Sequence, residues 1–264
     1  MNVSNFIAKR YFVAKKSKNF IQILSWISML GVAFGTAALI IVLSVFNGLE
    51  GVIKSVYNAF DPDLKVLPIE GKSFIPDPTQ VAQISSLEGV IGVSEVIEDK
   101  MLVTYRNEQV LVTVKGVDSA FLASNKLQTL ASIRGELKLE DEDYNYAIIG
   151  AGVAYELGLL IESDLFELEL IYPKRLRPVQ LNANAVQRVP LRSAAIFSLE
   201  SNYDQTYLIT SIDAAARAVG YRKQRTGLEI YFSEEADFED LKSNVTNILG
   251  TDFQVLDSEE QHAE

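Results

Sequence analysis

Between Asn19 and Leu49 the chain carries no charged residue, and Ile27 to Phe46 is almost wholly apolar. Twenty residues at the helical rise span about 30 Å, the thickness of bilayer hydrocarbon. A helix buried in a soluble core is the competing reading, but soluble helices seldom stay uncharged over 31 residues. A cleaved leader fits poorly: the run is too long, and GTAALIIVLSVFNG closes on no small-x-small cleavage site. The pattern predicts one transmembrane helix over residues 25–49.

Charge then sets its direction. Residues 1–49 hold Lys9, Arg10, Lys15, Lys16 and Lys18 and no acidic residue, whereas Glu50 begins the other side. Basic residues stay on the cytoplasmic face, so the N-terminus is expected there and the domain after Leu49 outside. Residues 50–264 have 19 basic against 35 acidic side chains, a charge of −16. Such a domain repels phosphate backbones, which argues against a nucleic-acid partner. No cysteine is present, so disulfides and thiolate metal sites are excluded.

Residues 1–24 have Val3, Phe6, Ile7, Tyr11 and Ala14 at helical spacing among the basic residues. That suits a helix lying on an anionic inner membrane surface; a disordered basic leader is the alternative. Trp26, the only tryptophan, falls at the inner interface. Within the run, Gly31 and Gly35 form GxxxG beside Ala33, Ala37 and Ala38. Small residues let helices approach closely, so this face is expected to pack on other membrane helices.

Beyond the membrane the pattern is α+β. DPDLKVLPI reads as a strand, Thr79–Leu87 as a helix, and 89–118 as a long strand, a polar turn at Arg106–Glu108 and a returning strand over Val110–Val114. Near the end, Leu228–Phe232, Asp237–Leu249 and Asp252–Leu256 repeat strand, helix and strand. Two such units bracketing a long middle predict one discontinuous βαβ-type domain carrying an inserted β-rich subdomain. The expected parts are 50–118, an insertion over 119–223, and 224–264. Strands over Asn145–Ile149 and Leu165–Ile171 and a helix over Gly152–Gly158 are read within the insertion.

Little in the chain points to catalysis. IIGAGVAYELG, residues 148–158, fails both GxGxxG and GxxxxGK[ST], and reads as a strand meeting a helix closed by Gly158. Glu140–Asp143 lacks the spacing of a calcium loop and reads as a solvated turn. The single histidine, His262, lies in a polar tail. No metal site and no cofactor are expected, and paired carboxylates are the sole acid–base option left.

One stretch departs from its surroundings. IYPKRLRPVQLNANAVQRVPLRS, residues 171–193, holds Lys174, Arg175, Arg177, Arg188 and Arg192, with no acid between Glu169 and Glu200. It also contains Pro173, Pro178 and Pro190. Proline stiffens a protruding segment and denies it strand pairing. Gln180, Asn182, Asn184 and Gln187 alternate with Val179, Leu181, Val186 and Val189, a mixture suited to docking another protein. A hairpin tip with no partner is the alternative.

These residues carry a resemblance. IAKRYFVAKKSKNFIQILSWISMLGVAFGTAALIIVLSVFNGLE, VTVKGVD at 112–118, YAIIGAGVAYELGLLIESD at 146–164 and SNYDQTYLITSIDAAARAVG at 201–220 are similar to the LolC/LolE-type lipoprotein-releasing ABC transporter permeases. The glycine-bearing stretch is shared more widely with MacB-like permeases. The resemblance implies a porter-like periplasmic domain with a β-rich insertion, followed in the family by three further membrane helices, so this chain is expected to be the N-terminal part. It implies a cytoplasmic ATPase subunit, a second permease subunit, a lipoprotein cargo and a periplasmic lipoprotein carrier as partners. A hook-like loop over Arg177, Pro178, Val179, Gln180, Leu181, Asn182, Gln187, Arg188, Val189 and Pro190 would recruit the carrier. Val42, Val45, Phe46 and Leu49 would meet the acyl chains. The rivals are a MacB-like efflux or mechanotransmission permease and a single-pass anchored binding module.

Overall fold

The computed structural model describes residues 3, 6, 7, 10, 20–124, 127, 131–159, 167–172, 187–233, 235–258 and 260–262. It divides into two compact units, Met1–Lys54 and Ser55–Glu264, each taken by itself below.

In the first unit, Val3, Phe6, Ile7 and Arg10 are helical and exposed. The helix α1, Phe20–Phe60, follows. Its segment Ile23–Leu49 is 27 residues long, about 40 Å at the helical rise and enough to cross a bilayer. Large side chains around its whole circumference are exposed, the pattern of a helix covered by lipid or by other helices. Two of the hydroxyls in its apolar part turn back on the backbone: Ser28 Oγ donates to Leu24 O (3.0 Å) and Thr36 Oγ1 to Val32 O (2.7 Å).

The second unit is built on a ten-stranded sheet in the order β10-β1-β9-β2-β3-β8-β5-β7-β4, with β6 pairing β2 and β7. Its first strands are β1 (Leu64–Pro68), β2 (Val90–Tyr105) and β3 (Glu108–Val117), with helix α2 (Pro78–Ser85) between β1 and β2. Next come α3 (Ser119–Ser124), β4 (Ser132–Gly135), β5 (Tyr146–Gly150), α4 (Ala151–Glu156), β6 (Leu168–Ile171) and β7 (Arg188–Ser198). The chain continues through α5 (Ser201–Thr206), β8 (Tyr207–Ser211), α6 (Ile212–Val219), β9 (Gly227–Phe232), α7 (Phe238–Leu249) and β10 (Phe253–Asp257).

Units β1–α2–β2 and β9–α7–β10 interleave: β1 pairs antiparallel with both β10 and β9, and β9 pairs antiparallel with β2. That is the split βαβ arrangement, with the segment between β3 and β9 lying between its halves in sequence. This segment contributes β4 to β8, which join the same sheet through parallel pairing of β8 with β3. The helix ends follow local chemistry. Asp77 accepts from Thr79 N ahead of Pro78, Ser211 from Ala214 N, and Asp237 from Asp240 N. Gly220, at φ 87, closes α6 in the left-handed region. The β2–β3 hairpin turns tightly at Arg106, which takes φ 55.

Alternation along the strands sorts side chains onto two faces. Leu64, Val66, Leu228 and Ile230 pack with α2 and α7 through Ile84, Leu241 and Val245. Ile97, Val112, Val114 and Leu208 pack with α4 and α6 through Val153, Ala154 and Ala214–Val219. A third cluster joins Val96, Val117, Ile148, Phe197 and Ile209 to Phe121 of α3, Tyr203 of α5 and Phe60, the last residue of α1. A Cβ on Gly150 would stand 2.3 Å from Asp204 O, and one on Gly152 would stand 2.9 Å from Gln205 Cα. These glycines let α4 and α5 approach; a phosphate-binding turn is not needed to explain them.

Candidate functional site

Three places bear on function: the membrane helix, the base of the basic loop, and the polar face at Phe60. Val42, Val45, Phe46 and Leu49 recur at helical spacing and share one exposed face of α1. At Gly31 and Gly35 an added Cβ would meet nothing within 4 Å, so each leaves an open notch.

Of the residues assigned to the basic loop, Arg177, Pro178, Val179, Gln180, Leu181 and Asn182 lie outside the described residues. Gln187 is exposed. Arg188, Val189 and Pro190 open β7 and pair with Ile171, Leu170 and Glu169 of β6. Proline is tolerated there because β7 gains its second neighbour, β5, only from Arg192 onward, so the missing N–H falls on an unpaired side. Val189 is 4% exposed and packs into the core, so it cannot face a docked protein. Arg188 bonds Glu169 (2.9 Å), and the Arg192 guanidinium stands 3.3 Å from the centre of the Tyr144 ring. Nearby, the exposed Asp141 carboxylate is held well below the usual range by Lys138 and then by the Tyr146 hydroxyl.

The polar face was not anticipated. Lys65 of β1 stands opposite Glu229 of β9, and Glu98 of β2 opposite Lys115 of β3. Lys65 Nζ meets Glu98 Oε2 at 2.7 Å, and Lys115 Nζ meets Glu229 Oε1 at 2.8 Å. Tyr207 donates to Glu98 (2.9 Å) and Tyr231 to Glu229 (2.7 Å). Burial pushes the Glu98 carboxyl upward, but the Lys65 and Lys115 ammoniums outweigh it and hold the group below its ordinary value. Burial and then Glu98 push the Tyr207 phenol up, so it remains a donor. Lys65, Glu98, Tyr207 and Glu229 line a cleft of about 560 Å³ with Lys72 and Lys100 at its wall. Lys65 is paired with Glu98 and Glu229 with Lys115 within the protein. Sequence did carry a signal for it: Lys115 in VTVKGV and Glu229 in GLEIYF are lone charges inside otherwise apolar strands. Such a charge must find a partner when the strand is buried.

One long apolar helix joined in sequence to a split-βαβ sheet with a strand-rich middle segment defines a membrane-anchored α+β protein. Residues 25–165, more than half of the chain, match the MacB-like periplasmic core domain, and the chain belongs to that family. It is 25% identical over 266 aligned positions to the lipoprotein-releasing system transmembrane protein LolE of Haemophilus influenzae, covering 94% of this chain and 59% of that protein. It is 27% identical to the corresponding LolC of Buchnera aphidicola over 62% of this chain and 40% of that protein. The chain thus spans about three-fifths or less of these relatives. Among solved structures, the periplasmic region of MacB from Actinobacillus actinomycetemcomitans superposes with a TM-score of 0.53 at 11% identity, over 79% of this chain and 94% of that one. The fold expected from the sequence, an apolar helix and then a sheet-rich α+β domain of MacB type, is the fold observed.

Proposed function

We propose that the chain belongs to the permease of a bacterial inner-membrane ABC transporter that extracts lipoproteins and passes them to a periplasmic carrier. The observation that carries this reading is the likeness to a LolE protein along 94% of the chain, from the membrane helix through the sheet. In it, the N-terminus is cytoplasmic and the sheet periplasmic, as the basic flank before Asn19 favours. Val42, Val45, Phe46 and Leu49 contact the cargo's acyl chains, and the Gly31–Gly35 notch packs on a helix of the second permease subunit. The chain performs no catalysis itself; a separate cytoplasmic subunit hydrolyses ATP. The loop from Arg177 to Pro190, without the inward Val189, receives the carrier.

Photocrosslinking from Leu181 in cells containing the neighbouring subunits tests this. A crosslink to a soluble lipoprotein carrier, lost when 177–187 is deleted, is the expected result. A crosslink to an adaptor or hydrolase instead would replace the function with that of a MacB-like efflux or mechanotransmission permease, a reading with which the family match is equally compatible. No crosslink from a well-expressed, fully labelled protein would overturn the loop assignment.

A further inference from the structure

We propose that Lys115 is a positioning residue that fastens the carbonyl end of the membrane helix to the centre of the sheet, and that Glu229 holds it in place for that task. Lys115 sits on β3, and both it and Glu229 are 1% exposed. Thr113 and Val117, two positions away on the same face, are uncharged, so the strand has no need of an ion there. What Lys115 reaches is the end of α1. Its Nζ lies 3.4 Å from the carbonyl oxygen of Phe60, the last helical residue. The final carbonyls of a helix have no partner within it and form the negative end of its dipole, where a cation is favoured.

The same ammonium lies 4.6 Å from the centre of the Phe60 ring and 5.0 Å from that of Phe121, so it holds the residue through its side chain as well. Phe60 is closed in from the other side by Tyr203 and Tyr207, each 4.6 Å away between ring centres. Asp61, the next residue, accepts from the Tyr203 hydroxyl. Two strands, β3 and β8, and α5 therefore hold two consecutive residues where the helix ends, and Glu229 links Lys115 onward to β9. An apolar contact alone would let the helix end slide, because dispersion and burial are non-directional.

The purpose assigned to this fastening, passing helix movement to the domain, rests on the permease reading; the fastening itself does not. The test uses Lys115→Met with Glu229→Leu, which removes both charges and keeps the volume, and Lys115→Arg, which keeps the cation. Amide hydrogen exchange is measured on the whole chain in lipid nanodiscs. The double variant should exchange about tenfold faster at residues 57–61, the loss expected for an uncapped helix end, with β3 and β9 unchanged. Lys115→Arg should exchange as the wild type does. In the assembled transporter, the double variant should release at least about fivefold less lipoprotein per ATP at an unchanged ATPase rate, the coupling having been lost. Unaltered exchange at 57–61 would overturn the proposal. So would faster exchange through β3 and β9 together, since the pair would then be a stabiliser of the sheet. If the wild-type transporter releases no lipoprotein, the permease reading fails while the exchange result still decides the fastening.

Discussion

Phe60, the last residue of α1, belongs to the core of the second unit, and its removal has a calculable cost. The side chain is 1% exposed, stands 4.6 Å from the Tyr203 and Tyr207 rings, 6.0 Å from Phe197, and has the Lys115 ammonium over its face. Truncation of a buried phenylalanine costs about 3–5 kcal/mol through lost transfer energy and the cavity left behind. Phe60→Leu retains most of the apolar volume and loses the ring geometry and the cation–π contact, for about 1–2 kcal/mol. Phe46→Ala, at a residue 68% exposed on the same helix, should cost less than about 0.5 kcal/mol in the same assay. The assay is urea unfolding of the whole chain in detergent, followed by tyrosine fluorescence: α1 survives urea in the micelle, so the transition reports the sheet. With a slope near 2–3 kcal/mol per molar, Phe60→Ala should lower the midpoint by about 1.5 M. A shift below about 0.4 M, or one matched by Phe46→Ala, would refute the claim that Phe60 is integral to the core.

Four further outcomes are expected. Gly116→Val should cost at least about 2–3 kcal/mol in the same titration, because even a Cβ at Gly116 would stand 2.2 Å from Ala215 Cβ of α6. Lys115→Met alone buries the Glu229 carboxylate without its cation and should cost about 3–5 kcal/mol, whereas Lys115→Met with Glu229→Leu should lie within about 1 kcal/mol of wild type, by urea midpoint. Glu98 is held below its ordinary value, so its contribution is present above about pH 4.3 and is lost as pH falls through the lowered value; Glu98→Gln should flatten the acid limb of a thermal-stability profile below pH 4.3. On the permease reading, Gly31→Leu with Gly35→Leu should abolish disulfide crosslinking between a cysteine placed on α1 and a helix of the proposed second permease subunit, while leaving the urea midpoint unchanged.

The parts of the fold legible in the sequence are those governed by local chemistry. Asp77-Pro78 announces α2, Asp237 announces α7, and the period-two pattern on either side of Arg106-Asn107 announces the β2–β3 hairpin. The uncharged run from Asn19 to Leu49 fixes the membrane segment in the same way. By contrast, β7 hides inside a basic, proline-bearing stretch: what makes Arg188–Ser198 a strand is its ladder with β6, β5 and β4, of which only β6 is its neighbour in strand order along the chain. The polar face is hidden for the same reason. Lys65 and Glu229 are opposite neighbours 164 residues apart, and nothing local announces their register. The family-level reading succeeded because it rests on many weak matches spread along the chain.

The energetics of the polar face explain why it is informative once seen. An apolar sheet face beneath Phe60 would be at least as stable, since desolvating Lys115 and Glu229 costs several kcal/mol that their attraction only repays in good geometry. The charged atoms stand 2.8 Å apart without a directed hydrogen bond to Glu229 Oε1, while Tyr231 donates to the second carboxylate oxygen and the Phe60 carbonyl and two rings surround the ammonium. A pair that adds little to stability still keeps the ammonium beside the Phe60 carbonyl, the contact for which Lys115 has hydrogen-bond geometry. The contacts made by Lys115 include the end of the one helix long and apolar enough, among the described residues, to cross a membrane. A sheet that only had to fold would not require a lysine there; a sheet that has to follow the helix end would.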